Sequence, residues 1–439
     1  SINILGIIHY QRGNYLAAYP LFKLSSDIRE RVLGPGDVEL AKTLNNLIVV
    51  LTRLGNFVDA KAECDRALHI FEGHPKPDSV NVAAVLTNRG LLERRLGDFG
   101  SARKSLEHAL AIREKLGPPD SPAIAASLVN LGAVLNDTQE FVGARPLLER
   151  ALELREKRLG PSNPELSATF NNLAEALEGS GDVLSARPLY VRSAANLEAA
   201  YGPQNPDLAL AFGNLAGLDY RRGARDTAFA YAVRAEEVAR ENVRITAQGL
   251  SEQDALNYSK SRTTAQDLAL SIARRQSSPD NLRRAWDTVI RGRALIFDET
   301  AERHRTVFAA GDRALLRLNE TLASTRATLA GLVANPARIN LENYRHQIED
   351  SLREIQRLEE AVAARSAPFR EALARNRQGF TDVERALPAG WALVAFVRYV
   401  DLGVPAPSAH QRRAATLDSI PRYLALVLSH AGADPVVVD

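Results

Sequence analysis

The 439-residue chain contains no methionine, one cysteine and two tryptophans, and aromatic residues make up only 6% of it. A single cysteine, Cys64, excludes an internal disulfide framework and a metal cluster held by several thiolates. No apolar run approaches the roughly 18 residues that a spanning helix needs, so the sequence predicts no membrane segment. The net charge of +2, from nearly equal numbers of acids and bases, argues against a dedicated nucleic-acid or membrane binder.

The sequence also lacks the motifs of common catalytic and cofactor sites. It contains no phosphate-binding Gly-x-x-x-x-Gly-Lys-Ser/Thr loop, no dinucleotide-binding Gly-x-Gly-x-x-Gly and no metal-binding His-Glu-x-x-His. The eight histidines are scattered, and none has a partner at a convincing metal-ligand spacing. We therefore predict no cofactor, no metal site and no catalytic residue within this chain.

Methionine is missing even at position 1, where Ser1 begins partway into the repeating pattern described next. The last residues, 434–439, are typical of a strand that stops abruptly. Both ends indicate a segment of a longer protein. We expect a cytoplasmic protein, and the sequence leaves open whether a signal peptide lies upstream.

The main feature present is a period of 42 residues. Glycine recurs at multiples of this spacing, with Gln139 in the one missing place: Gly13, Gly55, Gly97, Gly181 and Gly223. An alanine follows each of these positions by five residues, from Ala18 to Ala228. Sustained over six units, this period predicts a repeat array in which neighbouring units bury one another's apolar faces.

Spacing within a unit predicts helices. After the second glycine of the series, buried-type residues follow at steps of four, three and four: Ala60, Cys64, Ala67 and Phe71. This places Cys64 in the core. The pairs Asn163-Pro164 and Asn205-Pro206 put a capping side chain before a proline at the first helical position. Each unit is thus a helix, a tight turn at the glycine, a second helix and a Gly-Pro connector.

These motifs resemble the tetratricopeptide repeat. First helices contain Leu followed by Gly or Ala, as in Leu131-Gly132 and Leu173-Ala174, and the Gly-x-aromatic turn and the second-helix alanine follow. The 42-residue length and the Gly-Pro-x-Asn-Pro connectors are similar to the kinesin-light-chain type. The resemblance implies a mainly α fold, with a right-handed α-solenoid of six helix pairs over residues 1–245, then a helical linker and hairpin and a short α/β stub.

Five asparagines follow the same period, all in first helices: Asn46, Asn88, Asn130, Asn172 and Asn214. Asparagine inside a helix is roughly 0.6 kcal/mol less favourable than alanine, so five in one column need a reason. In tetratricopeptide proteins the matching column faces the concave groove, and the resemblance therefore implies that these amides bind the backbone of a peptide or protein partner. Alternatively, each amide bonds a neighbouring repeat and fixes stacking, and one amide can do both. Only Lys42 is suitably placed for a carboxylate clamp, which argues against a chain-end carboxylate as ligand.

Helical spacing continues after the 42-residue register ends. Residues 246–310 are predicted to form a helical extension. Its basic segment, 281–305, is interpreted as a solvated amphipathic helix rather than a phosphate-binding one, because acidic residues are interleaved with the arginines. Residues 311–382 are predicted to form a long antiparallel helical hairpin with a break at Asn335-Pro336.

The composition changes again at about residue 383. Residues 391–400 and 423–428 are apolar, partly β-branched and of strand length. We interpret residues 383–439 as the opening strands of an α/β domain that is incomplete in this chain.

The order of these parts is similar to that of bacterial CHAT proteins, in which tetratricopeptide repeats precede a caspase-like cysteine peptidase domain. The resemblance depends on three segments: residues 285–295, residues 386–394 with their Leu-Pro-x-Gly motif, and residues 422–425. It implies a histidine–cysteine dyad. Neither residue can be assigned here, because His430 follows its strand too early and no later cysteine exists. We expect this segment to be non-enzymatic.

Three functions follow as hypotheses. The first is a protein-interaction module that holds a peptide or protein in the asparagine-lined groove and serves as sensor and substrate-recruitment arm of a CHAT peptidase. The second is the regulatory part of a full-length cysteine peptidase. The third is a non-enzymatic scaffold or adaptor. No nucleic-acid or membrane partner is expected, and the sequence leaves the oligomeric state open.

Overall fold

A computed structural model describes most of the chain. The described residues are 2–11, 15–73, 79–247, 265–275, 278–292, 313–334, 341–376, 378–400, 421–429 and 433–438. They form two compact units, residues 1–189 and residues 190–439. The predicted fold class is confirmed, since helix pairs repeat along the chain and a small sheet follows them.

The first unit is built from paired helices. Helices α1 to α9 are, in order, Ile2–Gln11, Tyr15–Leu33, Val38–Leu54, Phe57–Glu72, Val80–Arg95, Phe99–Leu116, Pro122–Asp137, Phe141–Leu159 and Ser167–Gly179, with a 3-10 turn at Pro164–Leu166. Helix α10, Val183–Tyr201, runs on into the second unit. The predicted core face of α4 is confirmed, because its four members are at most 4% exposed.

Side-chain caps fix where the helices begin. The Oδ1 atom of Asn163 accepts a hydrogen bond from the backbone N–H of Glu165 at 2.8 Å. Asn205 does the same for Asp207 at 3.0 Å. Both asparagines were predicted as caps from the proline that follows them, and each satisfies a helix N–H that has no carbonyl partner within the helix.

The turn between the two helices of a repeat depends on one residue in the left-handed conformation. Gly55 has φ +80° and Gly97 has φ +82°. The next backbone N–H closes the turn: Asn56 N donates to Leu51 O at 2.9 Å, in a Schellman-type bond. Gln139 occupies the same place with φ +63°, and it is the one non-glycine with positive φ among the described residues. The turn geometry is therefore kept where glycine is missing, at a steric cost.

Within a repeat, the two helices touch at one position where a small residue on one helix packs against a large residue on the other. A Cβ atom added to Gly132 would lie 2.6 Å from Cγ of Leu148, so the first helix must lack a side chain there. In the second repeat the same two places are taken by Ile48 and Cys64, both fully buried. A large first-helix residue therefore goes with a small second-helix residue. This exchange explains why a small residue, Cys64, lies at this position.

The second unit continues the helix pairs and then departs from them. Helices α11 to α18 are, in order, Asp207–Arg221, Arg225–Ala247, Ala265–Arg275, Pro279–Gly292, Arg313–Ala334, Leu341–Arg365, Ala367–Asn376 and Phe380–Ala386. Helix α12 packs against α13, α14 and α15. Helices α15 and α16 lie antiparallel, joined by an ion pair between Arg326 and Glu359 at 2.7 Å.

A three-stranded antiparallel sheet follows, in the order β1 (Leu393–Val400), β2 (Pro421–Leu428) and β3 (Val436–Val438). Leu424 and Leu426 are fully buried in a cluster with Trp286 of α14. Alternate residues point away from the helices, and Phe396 is 71% exposed. The strand period of two therefore gives one helix-packed face and one exposed apolar face.

The Gln139 turn generates a stability prediction. Gln139→Gly is expected to raise the free energy of unfolding by about 1 kcal/mol, because glycine adopts the left-handed conformation without a Cβ clash. Urea unfolding followed by circular dichroism measures this. Gln139→Ala is the matched control, since it keeps the Cβ and is expected to change stability little. If Gln139→Gly were no more stable than Gln139→Ala, the strain assigned to this turn would be wrong.

Candidate functional site

The asparagine column lies on five first helices. Four members are half-buried, and Asn214 is 7% exposed. The column members therefore do not project freely into solvent. Whether each side-chain amide is already hydrogen-bonded depends on the residue next to it in the preceding repeat.

Two members of the column are engaged in stacking. The Nδ2 atom of Asn88 donates to Oδ1 of Asn45 at 2.9 Å, and Nδ2 of Asn46 donates to Oδ1 of Asn3 at 3.3 Å. In both cases the acceptor lies 43 residues earlier, on the first helix of the preceding repeat. These bonds tie consecutive first helices together, as the stacking alternative proposed.

Two other members have no such partner. The places 43 residues before Asn130 and Asn172 are held by Thr87 and Val129. Valine offers no acceptor, and the Thr87 hydroxyl donates to the carbonyl of Ala83 at 2.7 Å. Within the described part of the chain, no hydrogen bond involves the side-chain amide of Asn130 or Asn172, in contrast to those of Asn46 and Asn88. Each is half-buried and offers both a donor and an acceptor.

The two helices with free amides, α7 and α9, are fixed to each other beside them. The Nδ2 atom of Asn136 donates to the backbone carbonyl of Asn172 at 2.8 Å, and Asn136 is 1% exposed. On the other side of α7, Arg94 of α5 forms a two-pronged ion pair with Asp137 of α7, and the longer of its two contacts is 3.2 Å. These bonds hold the backbone of the site in place before any ligand arrives.

Small residues surround the free amides. One helical turn before the column, α5, α7 and α9 present Ala84, Ala126 and Ala168, which are half-buried or exposed. Residues four apart lie on the same helix face, so these alanines leave space next to Asn130 and Asn172. They also offer no cation to a chain-end carboxylate.

A second series of polar residues connects the repeats and was not predicted from the sequence. It consists of arginine–hydroxyl pairs that recur at the 42-residue period, and it is called the arginine register below. Arg155 Nη1 donates to the hydroxyl of Thr169 at 3.0 Å, across the junction between one repeat and the next. Arg113 bonds Ser127 and Arg29 bonds Thr43 in the same way. Burial lowers the pKa of the Arg113 and Arg155 guanidinium groups, because the charged form loses solvent.

This register also has an apolar form. At the remaining two junctions of the series the arginine and the hydroxyl are both absent, and Phe71 with Val85, and Leu197 with Ala211, stand in their places. All four of these residues are at most 4% exposed. The paired replacement at the 42-residue period is the signal that identifies the register in the sequence. Its role is to join repeats, because each arginine–hydroxyl bond spans the junction between one repeat and the next.

The other candidate chemistry concerns metal ions, Cys64 and His430. No group of three or more His, Cys, Asp or Glu side chains in the described ranges is arranged to hold a metal ion. Cys64 is fully buried, which confirms its predicted core role. His430 lies outside the described residues. Among the helices that the structure describes, none combines the length and apolar character needed to cross a membrane.

Family models of the tetratricopeptide repeat match residues 1–39, 39–115, 123–198 and 165–241. Among curated proteins no sequence matches.

Three solved structures illustrate the similarity of the fold. BtubC (BKLC) from P. vanneervenii is 21% identical, with 52% of this chain and 90% of that chain covered and a TM-score of 0.43. A putative kinesin light chain from Podosopora anserina is 20% identical, with coverages of 45% and 94% and a TM-score of 0.38. The apo form of RapI is 17% identical, with coverages of 62% and 96% and a TM-score of 0.46.

The core position of Cys64 generates a pH prediction. Burial raises the pKa of the Cys64 thiol from 9.0 to about 12, so the reactive thiolate is scarce at neutral pH. In the native chain at pH 8, alkylation of Cys64 is expected to be at least about a hundredfold slower than in urea, and to accelerate as pH rises. Mass spectrometry of maleimide adducts over time measures both rates. Equal rates in the native and unfolded chains would contradict the assignment.

Proposed function

Because the chain belongs to the tetratricopeptide-repeat proteins, we propose that it is a protein-interaction module that binds an extended segment of a peptide or protein partner on its first helices. The observation that carries the proposal is the pair of amides, on Asn130 and Asn172, that stacking leaves without hydrogen bonds among the described residues. In the repeat family this column faces the concave groove, which is where the partner is proposed to lie.

The proposed recognition is of backbone rather than of side chains. A carboxamide donates through Nδ2 and accepts through Oδ1, which matches the C=O and N–H of one peptide unit. Two such amides on successive first helices engage an extended segment at two points. Because both groups are neutral, binding is expected to depend little on salt.

The other column members support a ligand site that is limited to two of the first helices. Asn46 and Asn88 are already bonded to the preceding repeat, and Asn214 is largely buried. The proposed ligand site is therefore centred on α7 and α9 rather than spread evenly over five repeats. Ala126 and Ala168 give the ligand backbone room to approach.

The amide proposal predicts a specific loss of binding. Asn130→Ala combined with Asn172→Ala is expected to weaken peptide binding at least about tenfold, because each lost hydrogen bond contributes about 1 kcal/mol. The thermal unfolding midpoint should change little, since no described contact is broken and alanine favours the helix. The probes are peptides selected from a random display library on the wild-type chain, measured by calorimetry.

Two controls separate recognition from stacking. Asn88→Ala removes a stacking bond and is expected to lower stability while leaving the peptide affinity within about twofold. N-methylation of backbone amides in the selected peptide should abolish binding if the backbone is recognised. Wild-type affinity in the Asn130/Asn172 double variant would contradict the proposal.

We further propose that the array is the sensor and recruitment arm of a caspase-like CHAT peptidase. Support comes from the sequence order and from the position of β1, which begins at Leu393, shortly after the segment Leu387-Pro388-Ala389-Gly390. In this proposal the bound partner is a substrate or an activating ligand, and the helices between array and sheet transmit occupancy of the groove.

The peptidase proposal is tested on the coding region adjoining this chain. It predicts a histidine and, later, a cysteine, each directly after a strand-like segment, because nucleophilic catalysis needs both groups at the ends of neighbouring strands. An adjoining region without this pair would contradict it and favour the adaptor alternative. The binding proposal for Asn130 and Asn172 stands or falls separately.

A further inference from the structure

A glutamate lies in the interior of the second unit at a place where earlier repeats have apolar residues. Glu236 of α12 is 5% exposed. The residues at the same place in the four preceding repeats are all apolar: Leu68, Leu110, Leu152 and Ala194. A buried carboxyl group is costly unless it is neutral or fully hydrogen-bonded. The replacement of an apolar residue by Glu236 therefore needs a reason.

The two oxygens of this carboxyl group differ in their contacts. Arg240, one turn later on α12, donates from Nε to Glu236 Oε1 at 3.0 Å. Glu236 Oε2 is buried and accepts no hydrogen bond from the described residues. The C-terminal end of α14 passes close to the carboxyl group, since a Cβ atom on Gly292 would lie 4.0 Å from Glu236 Oε1. That same Cβ atom would lie 3.7 Å from Oε1 of Gln266, a neutral residue of α13.

The surroundings of Glu236 bring its titration close to neutral pH. Burial raises the pKa of Glu236 from 4.5 to about 7. The charges of Arg240 and Arg291 oppose this rise in pKa, and the like charge of Glu237 adds to it. Arg240 and Glu237 belong to α12 itself, whereas Arg291 belongs to α14. Glu236 therefore gains a negative charge as pH rises through neutrality, and this charge attracts Arg291 across the helix junction.

Arg291 also takes part in a contact at the start of α18. The Oδ1 atom of Asp287 on α14 accepts a hydrogen bond from the backbone N–H of Phe380 at 2.6 Å. Arg291 Nε lies 3.8 Å from the same oxygen. Both side chains lie against Gly379, where a Cβ atom would be 2.5 Å from Asp287 Oδ1 and 2.8 Å from Arg291 Nη2. Two carboxyl groups, those of Glu236 and Asp287, thus interact with one arginine.

Helix α18 leads from this contact to the sheet. It ends at Ala386, shortly before β1 begins at Leu393. The ring of Phe380 lies 6.0 Å from the ring of Trp286 on α14, measured between centroids. Both rings belong to one apolar cluster with residues of α12, α13 and the strands. Direct contacts therefore connect Glu236, through Arg291 and Asp287, to the helix that precedes the sheet.

We propose that Glu236 is a pH-sensitive switch between α12, the last helix of the repeat pattern, and the start of α18. Below neutral pH Glu236 is neutral, Arg291 stays with Asp287, and the start of α18 is held firmly. Above neutral pH the ionised Glu236 draws Arg291 towards its Oε2 atom and weakens the contact with Asp287. The switch needs no ligand in the asparagine column, so it is independent of the proposed function.

Tryptophan fluorescence of the full chain over a range of pH tests the switch. Trp391→Phe leaves Trp286, which packs against Phe380, as the one tryptophan. Its emission is expected to shift as pH rises, with a midpoint at about 7, and Glu236→Gln should abolish the shift. Glu236→Leu is a second variant, because it restores the residue that three earlier repeats have. The matched control, Glu237→Gln, removes the exposed neighbouring carboxyl group and should keep the shift.

Hydrogen exchange at the Phe380 N–H measures the effect at α18. In a chain labelled with ¹⁵N at phenylalanine, exchange corrected for its intrinsic pH dependence should be at least about threefold faster at about pH 8 than at about pH 6. Arg291→Gln should remove this difference. Trp286 emission or Phe380 exchange that does not change with pH in the wild type would overturn the proposal. So would an emission shift that persists in both Glu236 variants or is lost in Glu237→Gln, or a pH dependence of exchange that persists in Arg291→Gln.

Discussion

Burial of each first helix against the preceding helix pair is the contact on which the rest of this structure depends. It recurs every 42 residues, so the same places meet at every junction of the series. Apolar places such as Val50 and Val134 supply the stabilisation, because they are removed from water completely. Polar side chains at the same junctions are either hydrogen-bonded to the preceding repeat or left without such a bond. The proposed binding site follows from this division.

The asparagine column illustrates the division. Asn88 and Asn130 are the same residue at equivalent places, yet only Asn88 has an amide acceptor, Asn45, on the helix before it. At the next junction Val129 faces the column and cannot pair with Asn172. In the proposed function, a repeat that lacks one stacking bond has an amide that can hold a partner. Structural cohesion comes instead from bonds such as Arg155 to Thr169.

Much of the fold followed from the sequence because its signals are local. The glycine series predicts the turns and marks Gln139 as the substitute, and the backbone at Gln139 is indeed left-handed. Helical spacing placed Cys64 in the core. The roles within the asparagine column did not follow, since they depend on a residue 43 positions away in another helix.

The arginine register was missed for a related reason. Its two partners lie 14 residues apart on different helices, as in Arg155 and Thr169, and at two junctions apolar residues replace them. A single residue type repeated every 42 positions does not reveal this register. It is revealed by two positions that change together, from arginine and hydroxyl to two apolar residues, at the repeat period.

The most direct test of the central claim is to observe the side-chain amides themselves. In a chain labelled with ¹⁵N at asparagine, titration with a selected peptide should shift the Nδ2–H signals of Asn130 and Asn172. The signals of Asn46 and Asn88 should stay in place, because their amides are already bonded to the preceding repeat. Shifts confined to Asn46 and Asn88, or to none of the four, would contradict the account.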